Sequence, residues 1–182
     1  MLEIFPIPIL VKKLKLDTKK IIKHCLSIKK KTDSVKISNK GGWQSPPFIE
    51  DLFGLKNEIL KHGEEYRKAI AYKSELKLAN MWININGNKD YNIEHSHPHC
   101  VVSGAYYLTS NNSDLIFLHP SSQVMEYDWN HDALQNYNKY NSSVCVVAPP
   151  QDTLLLFPSW LKHRVEPNIN KEKRISISFN LR

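Results

Sequence analysis

The sequence predicts a mainly β protein, a β-sandwich or jelly roll braced by two N-terminal helices. Three observations carry that expectation. From residue 76 onward, apolar residues alternate with polar ones or come in short runs broken by turn residues, which is strand patterning. Before residue 76, two stretches space their apolar residues at helical intervals. Two of the late strands are amphipathic with polar faces that hold tryptophan, asparagine, serine and arginine, but no lysine or glutamate. Such faces suit the wet interior of a roll better than bulk solvent.

The elements follow in order. Residues 3–11 read as an edge strand whose pairing is limited by Pro6 and Pro8. Residues 18–31 carry Ile21, Ile22, Cys25 and Ile28 on one side of a lysine-rich helix. Residues 39–47, with two glycines and two prolines around Trp43, are expected to be a loop. A second helix is predicted over 49–72, with Leu52, Leu55, Ile59, Leu60 and Ile70 as its stripe. Strands are predicted over 76–86, 101–109, 114–118, 144–148, 153–157, 163–166 and 174–181. Residues 119–142, rich in Asn, Ser, Tyr and His, form a long polar connection of the kind that serves as a lid or binding segment. No repeat or linker divides the chain, so residues 1–182 are expected to be one domain: a basic strand-and-helix part over 1–75 and a β core over 76–182.

Composition narrows the class. No apolar run approaches the roughly 18 residues needed to span a bilayer. The apolar start precedes its lysines, the reverse of an export signal. Three cysteines without a CxxC pair argue against a disulfide framework or zinc ribbon and favour a reducing cytoplasm. The net charge of +7 is concentrated in residues 1–40, where eleven lysines face three acids. Residues 12–40 therefore suit contact with nucleic acid or another polyanion, or simply a solvated lysine face. The oligomeric state is left open, a homodimer included.

The chemistry concentrates in two places. His95 and His97 are two apart on an extended segment, which puts both imidazoles on one side of the backbone. His163, on another strand 66 residues later, completes a facial set for a redox metal with open coordination positions. Pro98 and the Pro158-Ser159-Trp160 segment are placed to fix the approach of the ligating strands. An HxH pair alone is a weak signal. The H-S-H-P-H run also resembles zinc hydrolases, but it lacks their aspartate, and an amidohydrolase barrel needs a longer chain. His24, His62, His119 and His131 lack partner spacing and are expected at the surface or in loops.

The segment LLLFPSWLKHRVEPN followed by RISISFNLR resembles the distal half of the Fe(II)/2-oxoglutarate oxygenase superfamily. Upstream, MWININ, DYNIEHSHP, SGAYYL and LIFLHP resemble a smaller family within it, 2OG-Fe(II) oxygenases known mainly from bacterial and phage genomes. The resemblance spans about residues 76–182. It implies a double-stranded β-helix of the cupin-like jelly-roll type, with His95, His97 and His163 as iron ligands. It also implies 2-oxoglutarate as co-substrate, its far carboxylate on Arg174 with Ser176 adding a hydrogen bond, because a guanidinium grips a carboxylate bidentately. Tyr107 matches the second tyrosine of the Y-Y-L strand that helps hold that carboxylate in prolyl-hydroxylase-like members. Asn84 joins this set only by sharing the polar face.

The implied activity is hydroxylation with Fe(II), O2 and 2-oxoglutarate, supported by ascorbate in an assay. One departure matters. The second ligand position usually holds aspartate or glutamate and here is His97, which leaves the metal one unit more positive. Glu94 is expected to point away, and Asp128 in the polar connection is a remote substitute. Two rival readings remain: a three-histidine cupin dioxygenase that does not use 2-oxoglutarate, and a non-catalytic nucleic-acid-binding jelly roll.

Overall fold

The computed structural model describes residues 2–109, 114–128 and 131–182, leaving out the side chains of residues 126–128 and 131. In chain order the elements are β1 (Leu10–Lys13), α1 (Thr18–Lys29), β2 (Asn39–Lys40), β3 (Trp43–Gln44), α2 (Leu55–Ala69), β4 (Leu78–Asn86), β5 (Tyr91–His95), β6 (Val102–Tyr107), β7 (Leu115–Leu118), α3 (Ser122–Asp128), a short 3₁₀ turn (His131–Ala133), β8 (Val144–Val147), β9 (Thr153–Pro158), β10 (His163–Val165) and β11 (Arg174–Leu181). The strands form two antiparallel sheets, ordered β1-β9-β6-β11-β4-β3 and β2-β5-β10-β7-β8. This is the expected jelly roll.

Period-2 alternation sorts the larger sheet into two faces. Met81, Ile83, Ile85, Tyr106, Leu154, Leu156, Ile177 and Phe179 face outward and are buried under Ile21 and Cys25 of α1 and Leu55, Ile59 and Tyr66 of α2. The helices therefore brace the sheet from outside, as their apolar stripes required. The inner faces of the two sheets share a smaller apolar cluster that includes Leu115, Phe117, Leu155, Phe157 and Val165. The remaining interior is polar, and it holds the site.

Several boundaries differ from expectation. Residues 2–9 are not a strand, because Pro6 and Pro8 have no N–H to donate and Phe5 sits at a left-handed φ of 55°. Pairing begins only at Leu10, opposite Leu156. Helix α2 starts six residues later than its apolar stripe suggested. Phe53 and Gly54 take positive φ, and the Asp51 carboxylate accepts the N–H groups of Gly54 and Lys56 at 2.7 and 2.9 Å, which makes a turn before the helix. The 39–47 loop contains the two-residue strands β2 and β3, which pair with β5 and β4. Strand β5 lacks the alternation that marked the others. The polar 119–142 connection contains α3 and the 3₁₀ turn.

Candidate active site

The inner face of the larger sheet is built in rows. Register places Asn86 opposite Arg174, then Asn84 opposite Ser176 opposite Tyr107, then Trp82 opposite Ser178 opposite Ala105. All of these except Asn86 line one cavity together with His95, His97 and His163 from the other side. A hydrogen bond from Asn84 Nδ2 to Ser178 Oγ (2.9 Å) ties the second row to the third. Beyond them, Ser103 donates to Asn180 (2.7 Å) and Asn180 to Asn80 (3.0 Å) across three strands. The polar faces of β4 and β11 thus look into the roll and not to solvent.

The three imidazoles come from two elements of the smaller sheet and the segment after β5. His163 lies opposite His95 in the β10–β5 ladder. His97, just past the strand, is pinned by its own N–H, which donates to Ser159 O at 2.9 Å, while Ser159 N donates to Val101 O at 3.2 Å. The Pro158-Ser159-Trp160 segment therefore does hold the candidate ligating segment in place. The candidate ligand atoms of His95, His97 and His163 all lie within 4.8 Å of one another.

Tautomers follow from the carbonyls. His95 Nδ1 meets Ile93 O at 2.7 Å and His163 Nδ1 meets Leu161 O at 2.9 Å. A carbonyl only accepts, so each Nδ1 carries the proton and each Nε2 presents a lone pair, the arrangement that orients metal-binding histidines. His97 Nε2 stands 3.3 Å from His163 Nε2, close to the ~3 Å spacing of neighbouring nitrogens on one cation at ~2.1 Å. Burial pushes His163 down to about 3, with the nearby His95 adding to the shift. Burial, then His95, takes His97 down to about 4. His95 is also lowered, mainly by burial. All three are neutral at neutral pH, as a metal requires.

The His163 ring packs against Phe117 and Phe157 of the inner apolar cluster, at 6.1 and 4.9 Å between ring centroids. Trp82 stacks on His97 at 5.5 Å with an interplanar angle of 28°. Neither contact nor the Ser159 latch was readable along the chain, because each joins segments distant in sequence. Alternation does place Phe157 and Trp82 on inner faces, which was the available signal. Ser38 and Asn92, hydrogen-bonded at 3.0 Å, also line the cavity and were not anticipated.

At the far end of the cavity Arg174 is 4 % exposed and its Nε has no hydrogen-bond partner; the Tyr107 hydroxyl is likewise buried without one. The guanidinium carbon lies 5.1 Å from the Tyr107 ring centroid. Burial raises the Tyr107 pKa, outweighing the pull of the Arg174 charge, so the phenol stays a donor. Ser176, 1 % exposed, stands in the adjacent row. Among the described residues no aspartate or glutamate lines the cavity. Buried donors around an unpaired charge are costly without an anion. The residues fit both groups: neutral imidazole nitrogens for a divalent metal, and an unpaired arginine with a phenol for a carboxylate.

The remaining candidates fall elsewhere. Glu94 points outward and pairs with Lys162 at 3.2 Å, and the side chain of Asp128 lies outside the described residues. His62 is a correction. It is 9 % exposed on α2, between Glu58 at 3.4 Å and Glu65 at 3.0 Å, because the helix stripe turns it toward the sheet. His24 packs edge-on against Phe53, and His119 Nδ1 accepts the Ser121 N–H at 3.1 Å in its loop. The side chain of His131 also lies outside the described residues.

A jelly roll with a three-histidine cluster and a buried, unpaired arginine in one cavity has the donor set of a metal-dependent oxygenase. The family model described as "Putative 2OG-Fe(II) oxygenase" matches residues 80–180. The chain belongs to that family and is a 2-oxoglutarate/Fe(II)-dependent oxygenase. No curated protein matches it in sequence. Among solved structures it is similar to a Pseudomonas putida prolyl-4-hydroxylase (13% identity, TM-score 0.63, covering 97% of this chain and 92% of that one). It is also similar to HygX from Streptomyces hygroscopicus, solved with nickel, 2-oxoglutarate and hygromycin B (10%, 0.66, 96% and 82%). A third is a prolyl hydroxylase from Trichoplax adhaerens in complex with a hypoxia inducible factor peptide fragment (14%, 0.61, 95% and 82%). At these identities the likeness is one of fold. Among the described residues no helix is long and apolar enough to cross a membrane.

Proposed function

We propose that His95, His97 and His163 hold the iron, that Arg174 with Tyr107 and Ser176 holds the far carboxylate of 2-oxoglutarate, and that the reaction is hydroxylation of a C–H bond. The observation that carries this is the buried, unpaired Arg174–Tyr107 donor pair at one end of a cavity whose other wall is three converging imidazoles. When bound, iron and 2-oxoglutarate supply the oxidising chemistry from O2, and the protein supplies ligands, orientation and a dry pocket.

Each residue then has a distinct task. The Ile93 and Leu161 carbonyls keep the His95 and His163 protons on Nδ1, so Nε2 points inward. The Ser159 latch and the Trp82 ring set the position of His97. Arg174 gives the co-substrate charge and direction, and Tyr107 donates to the same carboxylate. Asn84 spends its amide on Ser178 and acts on the co-substrate through the shape of the wall. Phe117 and Phe157 exclude water behind His163.

Residues 1–182 are read as one oxygenase domain. Three free cysteines support a cytoplasmic setting. The lysines of residues 12–40 support contact with a polyanion. The deciding assay follows succinate formation with Fe(II), ascorbate and 2-oxoglutarate in the wild type, His163→Ala and Arg174→Ala. Turnover is expected to fall at least about a hundredfold in the first, because losing a ligand costs more than the roughly 10–100-fold lost with a ligand's hydrogen-bonding partner. In the second it is expected to need far more 2-oxoglutarate. Equal rates in all three would remove the assigned roles.

A further inference from the structure

We propose that the Arg174 end of the roll carries a docking surface for the phosphate backbone of a single-stranded polynucleotide, centred on Asp90. The fold gathers there lysines that are far apart in sequence: Lys29 in the last turn of α1, Lys40 on β2, Lys89 in the turn after β4, and Lys171 and Lys173 before β11.

Hydrogen bonds hold the segments together. Lys89 N donates to Asn168 O at 2.7 Å and Asn168 N to Asp90 O at 3.0 Å, and Asn88 Nδ2 reaches Asn170 O at 3.2 Å. Lys40 lies opposite Tyr91 in the β2–β5 ladder. The next residue, Gly41, packs so closely on Asp90 that an added Cβ would stand 2.1 Å from its Oδ1. Lys29 is near enough to Lys173 that the second charge depresses its pKa after the effect of burial, against the pull of Asp90. Lys40, Lys89, Lys171 and Lys173 are exposed, and Lys30 and Lys31 extend the group past the end of α1.

The positive charge is only partly compensated. Among the described residues the lysine ion pairs lie elsewhere, at Lys12, Lys13, Lys61, Lys68, Lys139 and Lys162. The carboxylates within the group are Asp90, whose Oδ2 accepts the Gly87 N–H at 2.6 Å, and Glu172. A cluster of like charges drawn from four segments repels itself, and a polyanion relieves that repulsion. Tyr91, 38 % exposed directly across from Lys40, offers a ring face beside a phosphate-binding charge. That pairing of stacking platform and cation serves single strands better than a membrane or an acidic peptide. Lys173 is exposed on the outside while Arg174 turns into the cavity, so the surface is separate from the metal site and independent of the oxygenase reading.

Fluorescence anisotropy of a labelled single-stranded DNA of about 20 nucleotides tests this with metal-free protein over a salt series. The wild type is expected to bind with log K falling linearly in log salt. Lys29→Glu/Lys173→Glu is expected to weaken binding about tenfold or more and to flatten the slope by about 0.7 for each phosphate no longer neutralised. Lys73→Glu/Lys77→Glu makes the same charge change before β4, at the opposite end of that strand from Lys89, and is expected to cost much less. His163→Ala is expected to bind as the wild type does. Circular dichroism checks folding, and Lys89→Glu/Lys171→Glu replaces the first pair if that variant unfolds. The proposal is overturned by absence of wild-type binding at low salt, by equal weakening in the two charge-reversal variants, or by tighter binding to phosphatidylserine vesicles or polyglutamate than to the oligonucleotide.

Discussion

Arg174 is charged at any pH the protein meets, is almost fully buried, and lies in a cavity with no carboxylate among its described lining residues. A group in that position costs the empty protein stability, and the proposed carboxylate ligand would offset that cost. Arg174→Met is therefore expected to raise the stability of the metal-free, ligand-free protein by about 1 kcal/mol or more, read by urea unfolding, while destroying 2-oxoglutarate binding. Tyr107→Phe removes one donor to a charged acceptor, worth about 1.5–3 kcal/mol, and is expected to raise KM for 2-oxoglutarate at least about tenfold with little change in unfolding midpoint. A KM that does not move would free Tyr107 from the site. These residues were readable in the chain because strand alternation puts Arg174 and Ser176 on one face and because Tyr107 stands in a recognisable motif. Trp82 against His97 was not, since stacking depends on a meeting of separate segments.

Strand β6 is held between β9 and β11, and its Gly104 has a packing reason for being glycine. A Cβ there would lie 2.2 Å from Phe179 Cζ and 2.3 Å from the Leu155 carbonyl oxygen. The ring can shift somewhat, but the backbone oxygen belongs to the ladder. Gly104→Ala is expected to destabilise by about 1–3 kcal/mol, measured by denaturant unfolding. It is also expected to loosen the two inner rows that carry Tyr107 and Ala105. An unchanged midpoint would mean that β6 and β9 separate more easily than the register implies. At this scale β4, β6, β9 and β11 of the larger sheet were foreseen nearly to their ends, because alternation repeats over six or more residues. Strand β5 was missed because Tyr91–His95 exposes three of its five side chains, leaving little hydrophobic pattern to read. The start of α2 was misplaced because turn chemistry at Asp51–Gly54 overrides an apolar stripe that continues through it.

The molecule is organised as an apolar outer core, where helices meet the larger sheet, and a divided interior, part apolar and part polar cavity. Ligands that fill the cavity bind only the folded state and so stabilise it by mass action. With Zn(II) or Mn(II) as oxygen-inert metals, saturating 2-oxoglutarate at a hundred times its Kd is expected to add about 2.7 kcal/mol, or roughly 5–10 °C in Tm for a chain of this length. Arg174→Ala is expected to keep the metal-induced shift and lose the 2-oxoglutarate shift, and His163→Ala to lose both. A 2-oxoglutarate shift that survives Arg174→Ala would place the dianion elsewhere.

By itself the sequence determined the jelly roll, the outer position of the two helices and the identity of the candidate metal-binding and anion-binding side chains. These depend on period-2 and period-3.6 patterning, on residue chemistry and, for Arg174, Ser176 and Tyr107, on resemblance to a family motif, all of which are read locally along the chain. Only the tertiary structure decided how Ser159 pins His97, why His62 is buried, and that residues 2–9 leave the sheet. It alone also drew Lys29, Lys40, Lys89 and Lys173 around Asp90. Each of those outcomes is set by interactions between segments far apart in the chain, and no periodicity along a single segment encodes which distant partner it will meet.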